Sequence, residues 1–119
     1  MSSVKTITIR TASNGSYSWE RYFTGVIDAI ELEIGDLSTP DIDVTDETHT
    51  LTLLSVNGVS ASTVYYPSTF LEAADGTTAA LVGTGMKGAT TATVMGVLKI
   101  VIAGAGDTKS GRVNILYDA

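Results

Sequence analysis

The fold turns on "VLKIVIAGAGDTKSGRVNILYD", residues 97–118. It opens on an apolar run, passes Gly104 and Gly106, reaches Lys109 and Ser110, and closes on a second run that alternates. Strand, glycines and Lys-Ser raise the question of a phosphate-binding loop. Such a loop reads G-x-x-x-x-G-K-[ST], because the backbone must curl around the phosphates while the lysine reaches the terminal ones. Here Thr108 stands where the second glycine belongs, and Gly104 lies five positions before Lys109 where the pattern needs six. A phosphate loop must also open a helix whose first N–H groups face the anion. "GRVNILYD" instead alternates Val113, Ile115 and Tyr117 with Arg112 and Asn114, the period of a strand. The stretch reads as strand, hairpin tip, strand. "VMGVLKIVIAG", apolar nearly throughout except at Lys99, predicts a central strand buried on both faces, with the following run as its hairpin partner.

The same period recurs upstream. In "VKTITIR", Ile7 and Ile9 share one face while Thr6, Thr8 and Arg10 share the other. The turn "SNGS" at residues 13–16 predicts a hairpin returning through "YSWERYF". "GVIDAIELEIG" puts Val26, Ile30, Leu32 and Ile34 on one face, sends Glu31 and Glu33 outward and leaves Asp28 as the exception. After the loop "DLSTP" come "DIDVT" and "TLTLLSV", and Asn57-Gly58 then joins "LLSV" to "VSASTVYYP", the clearest hairpin signal in the chain. Pro67 ends that arm, and Thr69 with Glu72 forms a capping-box pattern for one helical turn before Gly76. Residues 77–93, rich in Gly, Ala and Thr, read as a long loop with one short strand around "AALV", of the kind a partner orders. Strands so spaced, with almost no helical pattern, predict an all-β chain. The expected architecture is a single domain over residues 1–119, an antiparallel β-sandwich or barrel, Ig-like or jelly-roll-like, of seven to eight strands.

Composition narrows the function classes. Of the 119 residues, 44% are apolar and only 17% charged, which fits a folded domain with part of its surface covered by a partner. The net charge is -6, and the seven Lys and Arg are scattered, so no nucleic acid is expected as partner. The absence of cysteine removes disulfides, thiolate zinc sites and cysteine nucleophiles together. The start "MSSVKTITIR" enters alternation without a charged leader and apolar core, and no apolar run nears the ~20 residues of a membrane helix, so no membrane partner is expected.

Candidate chemistry is sparse. Asp41, Asp43, Asp46 and Glu47 supply the oxygen ligands a calcium ion wants, without the glycine turn and distal glutamate of an EF-hand; acids flanking a strand also serve as a solvated edge that discourages sheet pairing. His49 is the single histidine, and no G-x-S-x-G elbow accompanies it, so no catalytic residue is assigned and the expectation is a non-enzymatic protein without a cofactor. The aromatics are more suggestive. Tyr17, Trp19, Tyr22 and Phe23 crowd one segment and Tyr65-Tyr66 end another; such rings anchor interfaces or stack on sugars, while alternate members fill the core. In Tyr65-Tyr66 one ring must face outward, since neighbours on a strand point oppositely.

The start "VKTITIR", the segment "YFTGVIDAIELEIGDLSTPDIDVTDET" with "TLTLLSVNG" after it, and the closing "LKIVIAGAGDTKSGRVNILYD" together resemble the small virion proteins of tailed bacteriophages in their layout. Most similar are the head decoration, or cement, proteins. That resemblance implies a β-rich dimer or trimer that binds the major capsid protein on the outer head surface, stabilises the shell, and is made in the host cytoplasm. It carries no residue-level motif. The residues expected at such an interface are Trp19, Tyr22, Phe23, Tyr65 and Met86, chosen for apolar character in polar surroundings. The alternatives are a neck, tail or fibre component of the virion, or a small carbohydrate-binding module.

Overall fold

The computed structural model describes residues 2–67 and 92–118. All regular structure among them is β: β1 (Ser2–Arg10), β2 (Tyr17–Glu33), β3 (Asp41–Asp46), β4 (Leu51–Val56), β5 (Thr63–Tyr65), β6 (Ala92–Ala103) and β7 (Ser110–Asp118). They form one open antiparallel sheet in the order β1-β7-β2-β6-β3-β4, with β5 on β2. Residues from both ends of that order, Ile7 and Ile9 of β1 and Leu53 of β4, enter one apolar cluster with Ile42, Val44, Leu98, Ile100, Ile102, Val113 and Ile115. The sheet is therefore folded over on itself in a sandwich-like arrangement, and the all-β expectation holds.

The bend lies in β2, a single strand of 17 residues where the sequence reads as two segments. Its first part pairs with β6, from Tyr17↔Ile102 to Ile27↔Ala92, and its last part pairs with β7, from Val26↔Asp118 to Glu33↔Arg112. Gly25 sits at the handover with φ 157°, and a Cβ there would stand 2.9 Å from the Asp118 carbonyl oxygen, so an L side chain is excluded both by conformation and by space. Just beyond it the register shifts between Ile27 and Ala29, a bulge that places Asp28 and Ala29 against Leu116. The extra residue switches parity: Phe23 and Ile27 point into the core before it, Ile30 and Leu32 after it. This is why Asp28 breaks the alternation, and why Val26, grouped with Ile30 and Leu32 by the period of two, lies on the other face, half-buried.

Three expected hairpins do not form. β1 pairs with β7 rather than with β2, and β6 pairs with β2 and β3 rather than with β7. In both cases β2 or β7 supplies an apolar partner of high register match, so the turn joins non-neighbours. The 13–16 turn is real, with Asn14 Oδ1 accepting from Ser16 N at 3.1 Å, but it docks on the connection between β6 and β7: Ala105 N donates to Gly15 O and Thr108 N to Ala12 O. The Asn57-Gly58 hairpin is the third. Gly58 has the positive φ of 64° expected of it, yet its N–H donates to Asp41 Oδ1, Val59 N donates to Pro40 O, and the chain proceeds to β5, which pairs with β2. β6 is central but buried on one face only: Val94, Leu98, Ile100 and Ile102 are fully buried, Met95 is exposed, and Val97, Lys99 and Val101 are half-buried. Ala92 and Thr93, read as the end of a loop, already belong to this strand. The capping pattern at Thr69 and Glu72, the "AALV" strand and Met86 lie outside the described residues.

Candidate interaction surface

The connection between β6 and β7 has no spare donors for a phosphate. Its backbone is tied to Thr11, which is 3% exposed: Thr11 N donates to Lys109 O at 2.9 Å, Thr11 Oγ1 donates to Gly106 O at 2.7 Å, and Lys109 N donates to Thr11 Oγ1 at 2.8 Å. Rather than a hairpin tip, this loop is a crossover that carries the chain past β2.

The four acids do not converge. Asp41 and Asp43 share the outer face of β3, as the alternation predicts; Asp41 is engaged by Gly58 and Asp43 accepts from Ser55 Oγ at 2.6 Å. Asp46 has the parity of Ile42 and Val44, points inward and is 1% exposed. Its carboxylate accepts from His49 N at 3.1 Å and from His49 Nδ1 at 2.9 Å, which fixes the Nδ1-H tautomer. Beside this turn, Thr48 Oγ1 accepts from Val97 N at 2.8 Å and lies where a Cβ on Gly96 would stand, so the turn packs flush on β6. Among the described residues there is no group of three or more metal-ligating side chains, and none hydrogen-bonds to His49 Nε2.

The aromatic segment divides by parity. Phe23 is 6% exposed and meets Tyr117 edge to face at a centroid distance of 4.9 Å, so it is a core residue and not a free contact. Tyr17 and Trp19 pack half-buried against the core, and Lys5 Nζ lies 5.9 Å from the Trp19 ring centroid. Tyr22 faces out and is 70% exposed. Of the tyrosine pair, Tyr65 rests against the core and Tyr66 is the exposed member.

Tyr22 stands opposite Val97 and, two residues along β6, Met95 stands opposite Thr24 and is itself exposed. Tyr22, Val97 and Met95 thus form an apolar strip on the outer face of β2 and β6, at the diagonal spacing where cross-strand side chains meet. The residues ringing it, Glu20, Thr24, Thr93 and Lys99, are polar. Met95 is the member that sequence reading missed, although its parity against buried Val94 and Leu98 marks it as outward.

A second feature lies on the outer face of β1, β7 and the end of β2. Asn114 Nδ2 donates to Glu31 Oε1 at 2.9 Å and to Glu33 Oε2 at 2.6 Å, Thr6 Oγ1 donates to Asn114 Oδ1, and Arg112 pairs with Glu33 at 3.0 Å. This ladder borders an open groove of about 350 Å³ lined by Thr8, Glu33, Ser62, Ser110 and Arg112 among others. Further along the same face the bulge brings Asp28 to Asp118. Desolvation first, then the charge of the Asp118 carboxylate and a hydrogen bond with it, hold the Asp28 carboxyl above its ordinary value of 3.8. No helix of the described residues is long and apolar enough to cross a membrane. No protein-family model matches the chain, and no curated protein matches it.

Proposed function

We propose that the chain is a non-enzymatic virion structural protein, a capsid decoration protein that binds the outer head surface through the Tyr22–Val97–Met95 strip. The reading rests on the layout shared with small tailed-phage virion proteins, and the observation that carries it is a tyrosine and a methionine together on an otherwise polar sheet face, at 70% and 61% exposure. Tyr and Met are enriched where interfaces are desolvated, and isolated polar faces have no use for them. The mechanism is mass action. A subunit that binds the mature shell and not its precursor stabilises that shell by its differential affinity, repeated over many copies. The major capsid protein is the partner, sister subunits complete a dimer or trimer, and no cofactor takes part.

Co-sedimentation tests this. Particles are banded on a density gradient and the chain is quantified against the major shell subunit. A fixed, high copy ratio is the expected result; a low ratio assigns the chain to the neck, tail or fibre, and absence from the particle band overturns the virion reading. Tyr22→Ala together with Met95→Gln lowers occupancy on particles while the far-UV circular dichroism stays unchanged; unaltered occupancy moves the interface elsewhere.

A further inference from the structure

The first part of β2 has an unused edge. β6 and β7 both pair with β2 at Val26 and Ile27, so they lie on its opposite sides. β7 runs out there, at Asp118↔Val26, and toward the N-terminus β2 continues through residues 17–25 with β6 on one side and no strand of the described residues on the other. Backbone N–H and C=O groups along such an edge are a template for another strand.

The side chains around that edge have a definite character. Tyr17, Trp19, Arg21 and Phe23 have the inward parity, and of these Arg21 is exposed, its guanidinium donating to the Glu20 carbonyl oxygen at 3.2 Å. Lys5 has the inward parity of β1, with Ile7 and Ile9, and reaches across to the Trp19 ring. Neither Lys5 nor Arg21 forms an ion pair with a carboxylate among the described residues, in a chain of net charge -6. A cation at an inward position of an edge strand repels casual apolar pairing. The same cation selects a strand that brings the opposite charge.

We propose that the open edge of β2 binds an extended acidic segment of a partner protein by strand addition, with Lys5 and Arg21 flanking Trp19 to receive its carboxylates. Main-chain hydrogen bonds to β2 supply the affinity, and the alternate inward side chains of the incoming strand meet the Lys5–Trp19–Arg21 row. The occupant is fixed by charge complementarity: unpaired cations sit on the side of the edge that alternate residues of a new strand must face. This edge is distinct from the Tyr22–Met95 strip and does not depend on the virion reading.

The test is fluorescence anisotropy with the full chain and a labelled alternating Val-Glu peptide of about eight residues, an ordinary strand length. Saturable binding below about 100 µM is expected, weakening as salt rises, with no binding of the matching Val-Lys peptide. Arg21→Glu and Lys5→Glu each reduce affinity on the order of tenfold, whereas Lys99→Glu, the same charge change at an outward position, leaves it within about twofold. N-methylation of alternate peptide residues, made in both phases, abolishes binding in one phase only. Circular dichroism of each variant establishes that the fold is retained. Absence of binding, equal loss from Lys99→Glu, or indifference to N-methylation overturns the proposal. So does a peptide-insensitive dimer in sedimentation, which would make a second copy the occupant.

Discussion

The two parts of β2 obey different rules although they are one strand. Residues 26–33 have β7 on one side and β5 or β6 on the other, and their side chains are buried or half-buried throughout. Residues 17–24 have β6 alone, and five of the eight are exposed. The composition follows the neighbours: Val, Ile, Ala and Leu where strands flank on both sides, Ser, Glu, Arg, Tyr and Thr where one flank is open. A strand buried on two edges is held by its core face, and one with a free edge is designed at that edge. The difference separates the part of the molecule that holds the fold from the part available for contact.

The comparison breaks most sharply at Ile30, which is fully buried between β7 and β5. Ile30→Ala leaves a cavity where the sheet folds over, and urea unfolding is expected to show a loss of about 2–5 kcal/mol. A loss under 1 kcal/mol would mean that the inner end of β2 does not carry the core. Gly25→Ala comes next. It forces an L residue into a positive φ and toward the Asp118 carbonyl, so a cost of about 1–3 kcal/mol is expected, together with weaker hydrogen-exchange protection at the end of β7. At the open end, Tyr22→Ala changes stability by no more than about 0.5 kcal/mol, as for a surface side chain without partners. A larger loss would place Tyr22 in an intramolecular contact.

The smallest effect refines the boundary itself. Because the folded Asp28 pKa is raised above 3.8, the folded state holds its proton more tightly than the unfolded state does. The associated stability is present at acid pH and is lost as the pH climbs from 3.8 through the folded pKa. Asp28→Asn removes that loss. Thermal unfolding of the variant is expected to lie slightly above the parent at pH 7, with the gap closing toward pH 4; a gap that is constant with pH would detach Asp28 from the carboxylate of Asp118.

Much of this was legible in sequence. The inward sets Ile7 and Ile9, Ile42 and Val44, Val113 and Ile115 follow from alternation alone, as does the outward pair Asp41 and Asp43. Asp46 was legible too, since it continues the parity of Val44, but its burial required His49 to fold back on it. Asp28 showed as an irregularity without a cause, because a bulge has no composition of its own. Of the residues expected at an interface, Tyr22 is on the outer face, Phe23 is in the core, and Trp19 and Tyr65 rest against it; aromatic crowding identifies the segment and parity sorts its members.

What the sequence determined by itself is the all-β class, the position of most strands and which way each points, because alternation is a local property of adjacent peptides. Which strands pair was decided only by the tertiary structure. Asn-Gly turns supply a reversal, yet the strands they join separate when a distant strand offers a better matched apolar edge, and β2 enters between β7 and β6 for that reason. The open edge at residues 17–25 exists because β7 runs alongside β2 only from Val26 onward, a consequence of register that no local pattern encodes.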